Sequence, residues 1–173
     1  MKMIPQIKKI LYATDLSKNS AYAFYYAIDL AQKRDAKIVI LHVVEALRPL
    51  VRFYGGTLAD ETRFYEAEKS ADLELIKKRL EDICLRVDKK VGISCLQFVS
   101  NILVRVGHPV EEILKAGDEE DCDIFILGTH GKGFLKQTFL GSVSRMVLDR
   151  ARKPVFVIPL PPEETKIDLD EIA

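Results

Sequence analysis

The 173-residue chain has only three cysteines and no net charge, and each scarcity closes off a class of function. Cys84, Cys95 and Cys122 are an odd number at unrelated spacings, without a Cys-x-x-Cys pair, so they read as small buried hydrophobes and not as a metal or redox site. Lysine plus arginine number 26, as do aspartate plus glutamate, which leaves no global field to draw the chain to nucleic acid or to an anionic membrane. No apolar run approaches the roughly eighteen residues of a membrane span, and the N-terminal Met-Lys-Met-Ile-Pro-Gln-Ile-Lys-Lys lacks the apolar core of a signal peptide. A cytoplasmic location is the expectation. Two phosphate-binding signatures are missing as well: no Gly-x-x-x-x-Gly-Lys-Ser/Thr occurs, and no Gly-x-Gly-x-x-Gly opens a helix after the first strand.

What is present is an ordinary globular composition, 48% hydrophobic and 30% charged, at a length that suits one domain spanning 1–173 with its core at about 7–159. Ile7 to Thr14 reads as a first strand ending at Asp15, and Ser17 as the N-cap of a helix whose stripe is Ala21, Phe24, Ile28 and Ala31. Lys37 to Val44 carries four successive apolar residues, Ile38 to Leu41, the habit of a strand buried on both faces of a parallel sheet. The segment at about 45–65 holds Pro49, Gly55-Gly56 and four aromatics, and reads as irregular: a loop packed on its own body or on a second subunit, or a lid over a ligand. Leu73, Ile76, Leu80, Ile83 and Val87 then mark a helix from about Glu66 to Asp88. A third strand falls within Cys95 to Val106, best in Ile102 to Val106. Pro109 opens a short helix with Glu111 and Glu112 in its first turn, where the helix dipole favours them. Asp123 to Leu127 and Val155 to Ile158 complete five strands. The acidic tail 163–173 either docks on a neighbour or frays. Strands alternating with helices give an α/β fold, an open five-stranded parallel sheet doubly wound by helices.

The chemistry gathers in Gly128 to Ser142, Gly-Thr-His-Gly-Lys-Gly-Phe-Leu-Lys-Gln-Thr-Phe-Leu-Gly-Ser, between the fourth strand and a helix striped by Val143, Met146, Val147 and Ala151. Glycines let backbone N–H groups approach a ligand, and a helix start leaves several N–H groups unpaired, so this is a place for an anion. Lys132 and Lys136 add positive charge. The opposing reading is that the glycines only punctuate a loop. In such sheets ligands sit beyond the carboxyl ends of the strands, where strand order reverses, which makes Thr14-Asp15-Leu16-Ser17 the second wall and Val43 the third side. Asp15 has a blander role open to it, capping the helix or standing solvated. His42, His108 and His130 also fall at carboxyl ends of strands, without metal-ligand spacing that brings them together.

The spacing Gly128-x2-Gly131-x9-Gly141-Ser142 resembles the ATP-binding motif of the universal stress protein family, and Gly107-x-Pro109-x-x-Glu112 is similar to that family's turn after strand three. The likeness runs from Lys8 to Ile158 and departs at 45–65, around Ser94 to Ile102 and in the tail. It implies a Rossmann-like fold of the adenine-nucleotide α-hydrolase type with strand order 3-2-1-4-5. It implies adenosine near Asp15 and the backbone of Val43, with ribose and phosphates held by Gly128, Gly131, Gly141, Ser142 and the backbone of Val143. His130 lies inside the same loop. ATP is the implied ligand, with Mg2+ or Mn2+ bound through the phosphates and no metal ligand from the protein.

For hydrolysis a residue must position water and another must stabilise phosphoryl charge. Lys132, Lys136 or Arg145 supply charge, but no candidate base stands out, so no catalytic residue is assigned. The reading is a nucleotide-dependent switch or signalling module. Its alternatives are a slow ATP-hydrolysing or adenylyl-transferring enzyme and a nucleotide-independent scaffold or chaperone. An apolar edge strand, Val155 to Ile158, makes a homodimer the expected partner arrangement.

Overall fold

Four consecutive apolar residues in Ile38–Leu41 and again in Ile124–Leu127 leave no polar face to expose, and both runs are buried in the middle of a sheet. The computed structural model of the chain describes residues 5–45, 58–92, 94–129 and 140–159. The strands are β1 (Lys9–Thr14), β2 (Lys37–Val44), β3 (Val99–Val106), β4 (Ile124–Gly128) and β5 (Val155–Ile158), and the helices α1 (Lys18–Arg34), α2 (Leu58–Val91), α3 (Pro109–Glu119) and α4 (Ser142–Arg150). All strands are parallel, in the order β3-β2-β1-β4-β5. The expected order is borne out.

Strand alternation divides the core in two. Ile10, Tyr12, Ile38, Ile40, Ile124 and Ile126 face α1 and α2, while Leu11, Val39, Leu41, Phe125 and Leu127 face α3 and α4. On the first face the Tyr12 and Phe24 rings stack with centroids 4.9 Å apart. The whole α1 stripe, Ala21, Phe24, Ile28 and Ala31, is buried. Ser17 is its N-cap, its hydroxyl accepting from the Ser20 N–H at 3.3 Å.

Two boundaries and one stripe residue differ from those read in the sequence. Helix α2 begins at Leu58, so 58–65 is helical where an irregular segment is expected; Ala59, Glu61, Glu66 and Ala67 are helix formers that the nearby aromatics and glycines conceal. Strand β3 begins at Val99, because an edge strand needs no continuous apolar run and tolerates the exposed Ser100 and Asn101. A short 3₁₀ turn, Cys95–Gln97, precedes it. Met146, counted in the α4 stripe, is 37% exposed, because the inward side of α4 is held by Ser144 and Val147. The remaining segments at 46–57 and 160–173 lie outside the described residues, so the lid and tail readings are not addressed by them.

Candidate functional site

β1 leads through α1 to β2 on one side, and the chain returns from β3 to β4 on the other side of β1. The carboxyl ends of β1 and β4 therefore flank the point where strand order reverses, the place where open sheets of this kind take ligands. The β1–β4 register pairs Tyr12 with Ile126, and continuing it brings Thr14 beside Gly128. The ladder between β1 and β2 ends at Thr14 and His42, whereas that between β2 and β3 continues to Val44. Val43 thus sits just past the end of β1, with its β1-facing side outside the ladder.

The first wall is built by short polar side chains. The Thr14 hydroxyl accepts from the Leu16 N–H at 3.0 Å and shares a 2.8 Å hydrogen bond with the Ser20 hydroxyl. Asp15 accepts the Ser17 N–H on one carboxylate oxygen at 3.0 Å, which orients its side chain. Leu16 between them takes φ +64°, a left-handed backbone uncommon for a leucine. Ser17 caps the helix, so the capping role left open for Asp15 belongs to its neighbour.

The second wall starts from β4. The Ser144 hydroxyl donates to the Gly128 carbonyl at 2.7 Å, the Thr129 N–H donates to the Ile158 carbonyl at 2.9 Å, and the Gly141 N–H donates to the Thr129 carbonyl at 2.6 Å. These bonds set the start of α4 directly against the end of β4. Gly141 is the N-cap, in an extended backbone, and Ser142 is exposed at the first helical position with Val143 half-buried after it. The first-turn N–H groups have no partner within the helix, and such helix starts favour anions. Arg145 is exposed one turn in. Of the residues singled out in the sequence, Asp15, Val43, Gly128, Gly141, Ser142 and Val143 lie on one edge of the sheet, at or just past the carboxyl ends of β1, β2 and β4 and at the start of α4; His130 and Gly131, like Lys132 and Lys136, lie outside the described residues.

Gly128 has a reason of its own to be glycine. A Cβ there would sit 2.8 Å from Nδ2 and 3.1 Å from Cγ of Asn19, a side chain of α1 that is 4% exposed. Asn19, Ser20, Thr129 and Ser144 were not singled out in the sequence, and nothing but their short polar character in a buried setting marks them. Together with Thr14 and His42 they are the buried polar residues of the described chain, and all lie at the carboxyl end of the sheet. His42 donates from Nδ1 to the Thr14 carbonyl at 2.7 Å, while His108 is exposed at the N-cap of α3. Among the described residues no group of three or more His, Cys, Asp or Glu is placed to hold a metal ion. The turn after β3 is also explained: the Glu112 side chain folds over Gly107, whose added Cβ would meet it at 3.0 Å, and Arg105 pairs with Glu112 at 3.5 Å and Glu119 at 2.6 Å.

Burial keeps the thiols neutral, pushing Cys84 up to about 12 and Cys122 up to about 11, with Cys95 raised further by burial beside Asp88. None is a nucleophile.

Residues 6–159 match the family model described as the Universal stress protein family, and the chain belongs to that family. It is 30% identical over 152 residues to universal stress protein MJ0577 of Methanocaldococcus jannaschii, across 87% of this chain and 94% of that one. The solved structure of MJ0577 superposes with a TM-score of 0.70, covering 92% of this chain and 100% of that one at 30% identity. A universal stress protein family protein of Arabidopsis thaliana, solved with AMP bound, shares the fold at 19% identity and a TM-score of 0.52, over 94% of this chain and 98% of its own. So does a universal stress protein solved in complex with cAMP, at 19% identity and a TM-score of 0.56, over 90% of this chain and 98% of its own. Among the described residues no helix is long and apolar enough to cross a membrane.

Proposed function

We propose that this chain binds an adenine nucleotide, read as ATP, at the carboxyl ends of β1 and β4, and that it works as a nucleotide-dependent switch. One observation carries the reading: an oriented carboxylate, an open strand end and a glycine-capped helix start share one edge of the sheet at the topological switch point, where such sheets take ligands. Asp15 and the backbone of Val43 lie nearest the adenine end of the adenosine. Gly128, Gly131, Gly141, Ser142 and the backbone of Val143 take ribose and phosphates, with His130 beside them. The residues fit the group, since an exposed hydroxyl and the N–H groups of a helix start are donors suited to phosphate oxygens. A Mg2+ or Mn2+ ion bound through the phosphates would neutralise their charge, and the protein's part is to orient and hold them. The relatives solved with AMP and with cAMP support an adenine ligand.

The same reading makes the protein a cytoplasmic homodimer joined at β5, a sheet-edge strand on which Phe156 is 44% exposed. Light scattering of Phe156→Lys against wild type tests the joint: a dimer that becomes a monomer supports it, and an unchanged mass overturns it. The nucleotide itself is tested by denaturing purified protein, separating what is released by chromatography, and titrating ATP and adenosine into Asp15→Ala and Ser142→Ala. Asp15→Ala weakens both ligands, and Ser142→Ala weakens ATP alone. Equal affinities in all three proteins contradict the assignment.

A further inference from the structure

We infer that Asn19 is the positioning residue that sets the gap between the two walls of the crevice, an assignment that rests on the nucleotide reading above. Buried amides are costly unless satisfied, and a smaller apolar residue would fill an ordinary inward position on a helix more cheaply. Asn19 instead points from the first turn of α1 to the root of the opposite wall. Its amide packs on Gly128 and lies 3.5 Å from the Thr129 hydroxyl. Gly128 and Thr129 are the residues that Ser144, Gly141 and Ile158 hold from α4 and β5. Asn19 is also fixed to the first wall, because the turn that carries Asp15 is bonded through Ser17 and Ser20 to the same helix start. One side chain therefore ties the Asp15 wall to the Gly128 wall. On this account the missing side chain at 128 makes room for Asn19, while the backbone there still borders the ligand.

The test is calorimetric titration of ATP and of adenosine into wild type, Asn19→Ala, Gly128→Ala and the double variant, with thermal melts of each without ligand. Loosening the wall that holds phosphates lowers ATP affinity about tenfold in Asn19→Ala while adenosine changes by less than about twofold. Gly128→Ala, whose methyl displaces the amide, produces a similar loss. Because both act on one contact, the double variant is no worse than either single, a coupling that a pair of independent sites does not show. Should Asn19→Ala fail to fold, Asn19→Ser keeps a hydroxyl in the slot and carries the same comparison. Equal losses for ATP and adenosine would reduce Asn19 to a structural role, and losses that multiply in the double variant would mean that the missing side chain at 128 serves the ligand and not Asn19. Either result overturns the assignment. If wild type binds neither ligand, the nucleotide reading fails and this assignment falls with it.

Discussion

Replacing Gly117 by alanine sets two effects of opposite sign against each other. Glycine inside a helix costs about 1 kcal/mol relative to alanine, so propensity alone favours the change. Gly117 is buried in α3, however, and its added Cβ would lie 2.2 Å from Cε1 and 2.4 Å from Cζ of Phe125. Carbon atoms in contact sit about 3.5–4.0 Å apart, so ring or helix must retreat by more than about 1 Å. The ring is 2% exposed, and its strand is bonded to β1 on one side and to β5 on the other. Overpacking in such a place costs about 3 kcal/mol, leaving a net loss of about 2 kcal/mol after the helix gain. In urea this moves the midpoint down by roughly 1 M with the slope unchanged. In a Phe125→Leu background the clash is gone, and Gly117→Ala becomes neutral or stabilising. A single variant as stable as wild type would refute the packing argument, because no other effect on α3 has the size to hide the clash.

The thiols and one ion pair give further predictions. Folded protein should react with an aromatic disulfide reagent far more slowly than unfolded protein, and unfolding should release all three cysteines; rapid native labelling of Cys84 would contradict its burial. Since Cys84 is raised from its ordinary 9.0 to about 12, its contribution to stability is complete below the ordinary value and is lost as pH rises toward the folded one, so stability declines in alkali. Glu111 has the opposite sign: the hydrogen bond from Arg150 lowers its carboxyl below the ordinary range, so the benefit is present above the unfolded value and fades as pH falls through the folded one. Melts across acid pH should show Glu111→Gln slightly less stable at neutrality, with the gap closing in acid. A gap that does not depend on pH contradicts the pair's role.

The parts of the fold legible in the sequence are those where local and tertiary demands agree. β5 is an apolar run between Pro154 and Pro159, and Ser17 precedes an amphipathic stripe, so each appears where expected. β3 was half hidden, because an edge strand can expose Ser100 and Asn101 without losing its ladder to β2. The start of α2 was hidden differently, by aromatics and glycines that resemble a loop. In the site, the walls followed from the glycine spacing and from Asp15 at a strand end. The Asn19 contact did not, since its partner Thr129 lies 110 residues away and only the assembled sheet brings them together. Gly128 drew notice as a glycine for a ligand, while the structure places an amide where its Cβ would be.

The measurement that bears most directly on the central claim is calorimetric titration of ATP, with Mg2+ present, into the purified chain after any co-purified nucleotide has been removed. A saturable one-site isotherm with a micromolar dissociation constant, about −8 kcal/mol, is the predicted result. Absence of binding at millimolar ATP would contradict the account and leave the crevice a structural feature of the fold.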